Sequence, residues 1–454
     1  MDNKALISKY NVPGPRYTSY PTVPYWNATP PGVEQWKKSI QLAFNKSNAS
    51  EGISIYIHLP FCESLCTFCG CNTRITKNHT VEEPYISRVL KEWGFYLQTF
   101  ETAPRIKEIH LGGGTPTFFT PEHLTTLING ITSSAIICDD AEFSFEAHPN
   151  NTTQEHLQTL YNLGFRRLSL GIQDFNHSVQ AIINRIQSFE AVEKVTNYAK
   201  QIGYSSINFD LIYGLPLQTK ESIIDTIEKV NLLLPHRIAF YSYAHVPWIK
   251  PGQRKFTEAD LPVDKAKREL YEIGREMLEQ SGYVEIGMDH FALQTDSLYT
   301  ALKTKQLHRN FMGYTSSHTM LLVGLGVSSI SDSWTCFSQN VKKVEEYYAL
   351  VDKGEFPLLR GHLLNTEDLI LRKHILNIMC KLETSWQHSD AQCDALTTGL
   401  TQLKEMENDG LIVITPFSLK VTETGRPFIR NICMALDARL WREQRTVAIF
   451  SQTI

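Results

Sequence analysis

From Gly52 onward the apolar positions alternate between two rhythms. Short runs rich in β-branched residues read as strands: ISIYIHLP (53–60), IKEIHLGG (106–113), AEFSFEAHP (141–149), RRLSLGIQ (166–173), SINFDLIYGLP (206–216) and RIAFYSYAHVP (237–247). Between them, EEPYISRVLKEWGFYL, PEHLTTLINGI, QEHLQTLYNLG, FEAVEKVTNYAKQIG and KESIIDTIEKVNLLL carry apolar residues three and four apart, the spacing of a helix with one buried face. Two of these patterns end at Gly164 and Gly203, as helix C-termini often do. Six strand–helix units in series predict a parallel sheet with right-handed crossovers. Their span of about 200 residues is short of the ~250 of a complete eight-stranded barrel. The pattern therefore predicts an α/β fold, a partial (β/α)6 barrel.

The flanks are less regular. Residues 1–50 are rich in Pro, Tyr and Ser, show no clear period and read as an extended arm. The barrel pattern occupies 51–282, ending in a helical stretch at 262–282. A loop-rich extension follows over 283–359, and 360–454 reads as a mainly helical C-terminal domain. Within the latter, GLIVITPFSLKVT predicts a hairpin and ETGRPFIRNICMALDARLW a helix. Helix, hairpin and helix resemble a winged-helix module. Without a basic stripe, a packing or lid role fits that module better than DNA binding.

A chain of 454 residues can bury more than one sizeable core, and 42% hydrophobic with 20% charged residues is ordinary globular composition. A net charge of −4 gives no electrostatic reason to expect nucleic acid or a membrane surface as partner. No apolar run approaches the ~20 residues of a membrane span, and the N-terminus has no secretory apolar segment. A cytoplasmic monomer is the expectation.

Polar residues gather at the C-terminal ends of the predicted strands: Tyr56 and His58, Gly112-Gly113-Gly114-Thr115, Glu146 and His148, Gln173, Asp210, and Tyr243-Ala244-His245. Ligands of parallel α/β folds bind at that end, so these groups predict one shared site. The loop after the first strand, FCESLCTFCGCN, sits at its mouth with Cys62, Cys66, Cys69 and Cys71. In a reducing compartment such a group points to a metal, a cluster or redox chemistry rather than a disulfide framework. Structural zinc would use two separated cysteine pairs, and no second pair exists. A thiol redox pair would be Cys66 and Cys69 alone. Three thiolates on an iron–sulfur cluster would leave one iron open to a small molecule. The other five cysteines, Cys138, Cys336, Cys380, Cys393 and Cys433, are scattered and read as small buried residues.

The spacing C-x3-C-x2-C after a first strand, with Phe68 before the last cysteine, resembles the signature of the radical S-adenosylmethionine (radical SAM) superfamily. The segments PGPRYTSYPT (13–22), YIHLPFCESLCTFCGCN (56–72), HLGGGTPT (110–117), RLSLGIQDFN (167–176), NFDLIYGLPLQT (208–219), YAHVP (243–247), GMDHFA (287–292), LHRNFMGYT (307–315), LGVSSIS (325–331) and RNICM (430–434) are similar to the oxygen-independent coproporphyrinogen III oxidase family over nearly the whole chain. That resemblance implies a 4Fe–4S cluster on Cys62, Cys66 and Cys69, with Cys71 beside it, and two molecules of S-adenosylmethionine. It implies that the first contacts Tyr56, Gly113, Glu146 and Ile330. The second would contact Phe68, Gly114, Thr115, Gln173, Arg185, Asp210 and Ala244. The implied reaction converts two propionates of coproporphyrinogen III to vinyl groups, with Tyr56 and Cys71 at the reacting centre. It needs a separate electron donor and a separate acceptor.

The substrate carries four carboxylates, so cationic partners are expected, and Arg16, His308 and Arg309 are the candidates. Relatives commonly carry Asn or an acidic residue where this chain has His148, which would alter the local charge. The competing reading is a haem carrier of the same fold. As a family those carriers lack the PRYTSYPT arm and the cysteine matching Cys71.

Overall fold

The computed structural model describes residues 3–248, 250–443, 450, 452 and 453. Six strands, β1 (Ile53–Leu59), β2 (Arg105–Gly113), β3 (Ile136–Ala147), β4 (Phe165–Gln173), β5 (Ser206–Tyr213) and β6 (Arg237–Ser242), pair in parallel in sequence order. This is the predicted core. Each strand alternates. On β1, Ile53, Ile55, Ile57 and Leu59 are fully buried, while Ser54, Tyr56 and His58 take the other face. There Ser54 donates to Glu108 at 3.0 Å and Tyr56 stacks on His110, with ring centroids 5.9 Å apart. The inner face of the barrel is thus polar along its length, not only at the strand ends.

The stretch 283–359, read as loop-rich, instead widens the sheet. β7 (Tyr283–Gly287) and β8 (His290–Leu293) add antiparallel beyond β6. On the far side, β9 (Leu322–Leu325) pairs parallel with β1 as a seventh parallel strand. β10 (Ile330–Asp332), β11 (Cys336–Asn340) and β12 (Leu358–Leu363) then continue antiparallel. The result is one 12-stranded sheet. Residues 296–316 cross beneath it. Asp296 pairs with the buried Arg237 at 2.7 Å, and Ser316 donates to Glu142 at 3.0 Å.

The arm is also not merely extended. Val33–Ser47 is a helix that buries Trp36, Ile40, Ala43 and Phe44, a helical period read as none, and Asn3–Tyr10 is a second helix. Between them Tyr17 and Tyr20 are buried in the C-terminal core, with Leu371, Ile375 and Ile432. That core joins helices Thr366–Lys381 and Ile429–Leu436 to a small sheet of Glu383–Ser385, Ile412–Ile414 and Ser418–Val421, the last two being the predicted hairpin. Residues 444–449, counted in the helical region, lie outside those described. No helix among the described residues is long and apolar enough to cross a membrane.

Candidate functional site

A cavity of about 600 Å³ runs through the barrel, and its mouth is the cysteine loop. The loop leaves β1 at Pro60, and Phe61–Cys62 pairs with Arg74–Ile75 to tie its two ends together. His58 holds the same closure from the inside. Its Nε2 lies 2.8 Å from the Asn72 carbonyl and its Nδ1 3.1 Å from the Tyr56 hydroxyl. Burial lowers the His58 pKa, favouring the neutral ring.

The glycines of β2 are required by contact. Gly113 has φ +111°, and a Cβ there would lie 2.6 Å from the His58 ring. A Cβ on Gly114 would lie 2.6 Å from the Pro60 backbone. Only bare backbone lets β2 pass the root of the cysteine loop.

Cys62, Cys66, Cys69 and Cys71 all line the cavity, and none is in a disulfide. Each of the first three has a hydrogen-bonding neighbour: Thr115 Oγ1 at 3.4 Å from Cys62 Sγ, Arg185 Nη1 at 3.6 Å from Cys66 Sγ, and the Cys71 amide at 3.4 Å from Cys69 Sγ. Hydrogen bonds from Cys71, against the cost of burial, bring Cys69 down to about 6, and the same contact pushes Cys71 up. Among the described residues, no three His, Cys, Asp or Glu side chains are grouped to hold a single metal ion. A four-iron cube takes one thiolate at each of separate corners, so its ligands stand apart around a shared space. Three thiols on one cavity wall, with donors on their sulfurs and an open interior, fit such a cluster.

The deeper walls carry the polar strand ends. Glu146 accepts from the Gly113 amide at 3.2 Å and lies 3.5 Å from His110 Nε2. Burial works to raise its carboxyl, but His110 and that amide outweigh it and hold the pKa below the usual range. Asp210 accepts from Ser169 at 2.8 Å and Asn208 at 2.9 Å, yet burial still pushes it up to about 6. Arg185 donates Nη2 to the Gly171 carbonyl, and its buried Nε has no partner. Gln173 sits at φ +67°. At His148, burial and Arg185 hold the pKa down to about 3, so the ring is neutral.

Phe68, Gly113, Gly114, Thr115, Glu146, Gln173, Arg185 and Asp210 thus share the cavity with the cysteines. Tyr56 stacks on its wall through His110. Ala244 and Ile330 are not on that wall. The Ala244 carbonyl accepts from Gln253 Nε2, which also reaches the Phe68 carbonyl. Ile330 lies one strand beyond Gly324, the neighbour of Tyr56 on β9.

The three cation candidates separate. Arg16 pairs with Asp289 at 2.8 Å and lies over the Tyr241 ring. Arg309, 6% exposed, stacks on Tyr314 and has no partner for Nε or Nη1. His308 packs against His318, ring centroids 4.5 Å apart, and like Arg16 and Arg309 it is not on the cavity wall. Sequence reasoning assigned no role to His110, Tyr241, His290 or Tyr314, which also line the cavity. Strand alternation could have found His110 and Tyr241. His290 on β8 and Tyr314 on the three-residue strand Gly313–Thr315, which pairs with His308–Asn310, lie on strands too short to show a period.

The radical SAM superfamily model matches residues 56–230. Over 96% of this chain and 96% of its own length, the oxygen-independent coproporphyrinogen III oxidase of Helicobacter pylori is 39% identical. The Escherichia coli protein of the same name is 38% identical over 99% of this chain and 98% of its own. A solved structure of coproporphyrinogen III oxidase from Escherichia coli, described there as a radical SAM enzyme, superposes with a TM-score of 0.89 at 36% identity, covering 96% of this chain and 98% of that one.

Proposed function

The chain belongs to the oxygen-independent coproporphyrinogen III oxidases of the radical SAM superfamily, and from that premise we propose which of its residues carry the family's reaction. The enzyme oxidises coproporphyrinogen III without oxygen in haem biosynthesis, using a 4Fe–4S cluster and S-adenosylmethionine. Cys62, Cys66 and Cys69 hold the cluster, and the observation that carries this is their common opening on the barrel cavity, with a hydrogen-bonding neighbour at each sulfur. Held by these three thiolates, the cluster would supply the one electron that breaks a C–S bond of S-adenosylmethionine to methionine and a 5′-deoxyadenosyl radical.

The chain's own groups bind and orient. Glu146, kept ionised, and the glycine backbone receive the amino and carboxylate end of the cosubstrate, beside Tyr56 and Ile330. Two cosubstrate molecules are accommodated. Arg185 pairs with a carboxylate of the second, Asp210 accepts from a ribose hydroxyl, and Phe68, Thr115, Gln173 and Ala244 frame it. Cys71, which lines the cavity beside Cys69, would stand outside the ligand set of three thiolates. At the substrate, a hydrogen atom leaves the β-carbon of a propionate to form 5′-deoxyadenosine. The resulting radical loses CO2 and one electron to leave a vinyl group. Two propionates react in turn, giving protoporphyrinogen IX. Each round consumes one donor electron and returns one to a separate acceptor. The work is done by a monomer in the cytoplasm.

The test is anaerobic turnover of cluster-reconstituted protein with coproporphyrinogen III, S-adenosylmethionine, dithionite and a cell extract as acceptor. 5′-Deoxyadenosine and decarboxylated porphyrinogen should appear together, and both should vanish in Cys66→Ser. Deoxyadenosine without decarboxylation would overturn the substrate assignment while leaving the radical chemistry standing.

A further inference from the structure

Where the arm, the end of β6 and the C-terminal region meet, buried and half-buried positive charge exceeds negative among the described residues. Arg16 Nη1 pairs with Asp289 Oδ2 at 2.8 Å. Lys267, on the helix Asp264–Gln280, donates Nζ to the Tyr243 carbonyl at 2.8 Å and has no carboxylate partner among the described residues. Arg430 directs its guanidinium to the carbonyls of Gly14, Pro15, Gln452 and Thr453. Arg309 donates Nη2 to the Arg16 carbonyl at 3.4 Å, and its buried Nε and Nη1 have no hydrogen-bond partner among the described residues.

These charges act on each other. Burial, then repulsion from Arg16 and Arg430, pulls Lys267 down to about 8. Burial and Arg16 bring Arg430 down to about 10. The remaining charged groups nearby do not balance the sum. Arg268 is taken by Glu272, and Glu285, raised by burial, faces Arg426 and Arg275. His290 is held at about 4 by burial and Arg309, so it stays neutral. Among the described residues these four cations, Arg309 and Arg430 buried and Arg16 and Lys267 half-buried, have one paired carboxylate, Asp289, whereas charges withdrawn from water in folded proteins are normally paired.

We propose that this junction is a carboxylate subsite in which Lys267 and Arg309 hold propionate carboxylates of the tetra-acid substrate. It borders the cavity at Tyr241, His290 and Tyr314, so a macrocycle could lie over the barrel interior with its acid arms in the junction. Arg430 is saturated by backbone and supplies field rather than contact. The inference rests on the substrate reading above and deepens it.

Coproporphyrin III, the oxidised tetra-acid, and its tetramethyl ester serve as optical probes for the cluster-reconstituted full chain. Lys267→Met should weaken coproporphyrin binding by about tenfold or more, and Arg309→Met likewise. Lys267→Arg should retain most of the affinity. The ester should bind weakly and alike to every form. Dithionite-driven S-adenosylmethionine cleavage should be unchanged in Lys267→Met. Melting temperature and cluster absorbance report folding, and the half-buried Lys267 carries the test if Arg309→Met fails to fold. Unchanged coproporphyrin affinity in Lys267→Met overturns the subsite. So does a loss of S-adenosylmethionine cleavage with porphyrin binding intact, since the junction would then serve the cosubstrate. If the unsubstituted chain binds neither probe, the substrate reading itself falls.

Discussion

Gly113 and Asp210 each turn one local property into something measurable. At Gly113 an added methyl meets both a left-handed φ and the His58 ring. The backbone alone costs an L-residue about 1–2 kcal/mol, and His58 cannot yield without releasing Asn72. Gly113→Ala should therefore lower S-adenosylmethionine affinity by roughly tenfold or more, read by equilibrium binding to the reconstituted protein. Gly70, with nothing near its Cβ position, is the control. Asp210 yields a pH test. Its folded pKa of about 6 exceeds the ordinary 3.8, so folding takes up a proton between those values. Stability therefore falls as pH rises from about 4 to about 6 and is level above. Asp210→Asn should gain on the order of 2 kcal/mol over the parent at pH 7.5 and little at pH 4. A melting-temperature difference equal at both pH values would show that Asp210 ionises normally. Residue types at strand ends made much of this site legible. What they could not reveal is pairing. Arg16 and Arg309 look alike in sequence, yet among the described residues one meets Asp289 and the other no carboxylate.

The elements differ in legibility for a reason of length. β1 to β6 run from 6 to 12 residues, long enough for alternation to show, and each is followed by a helix with an apolar stripe. β7 to β11 run from 3 to 5 residues, too short for a period to declare itself, and β12, as long as β6, is interrupted by Arg360-Gly361. Their place in the sheet comes from tertiary pairing instead. The seventh parallel strand, β9, has such a tie. Tyr85 on the helix Glu82–Leu97 donates to the His58 carbonyl at 2.7 Å and accepts from the Val327 amide at 3.0 Å. Two turns on, Glu92 accepts from the Gly326 amide at 2.8 Å and from Tyr347 at 2.7 Å. One helix thus fixes the root of the cysteine loop to the loop that precedes Ile330. Tyr85→Phe keeps the ring but strands a buried amide, at a cost of about 1–3 kcal/mol. The melting temperature should drop, with S-adenosylmethionine binding weakened more than cluster content. Cluster loss in parallel with affinity would mean the tie serves only the cysteine loop.

At the scale of the molecule, the segment before the barrel is a strap rather than an appendage. Its first helix packs Leu6 and Tyr10 on Leu411 and Phe428, its middle buries Tyr17 and Tyr20 in the C-terminal core, and its second helix lies against the barrel. The helical period of Val33–Ser47 was there to be read, but the Pro- and Tyr-rich stretch before it has no period and looks the same whether solvated or clamped. Arg430 is the clamp. Its guanidinium bonds to two carbonyls of the arm and two of the C-terminal tail, with no carboxylate competing. Arg430→Met keeps much of the apolar volume and removes all of these bonds. Arg16 lies one residue past Pro15, so freeing the arm should loosen the Arg16–Asp289 pair and the junction around it. The barrel cavity, held by β1 to β6 and the cysteine loop, does not depend on that clamp. Arg430→Met is therefore expected to raise the KM for coproporphyrinogen III severalfold while S-adenosylmethionine cleavage without substrate stays near the parent rate. Limited proteolysis should cut within residues 11–32 sooner. If cleavage of S-adenosylmethionine falls in step with decarboxylation, the arm supports the radical site itself, and the separation of substrate end from cofactor end is wrong.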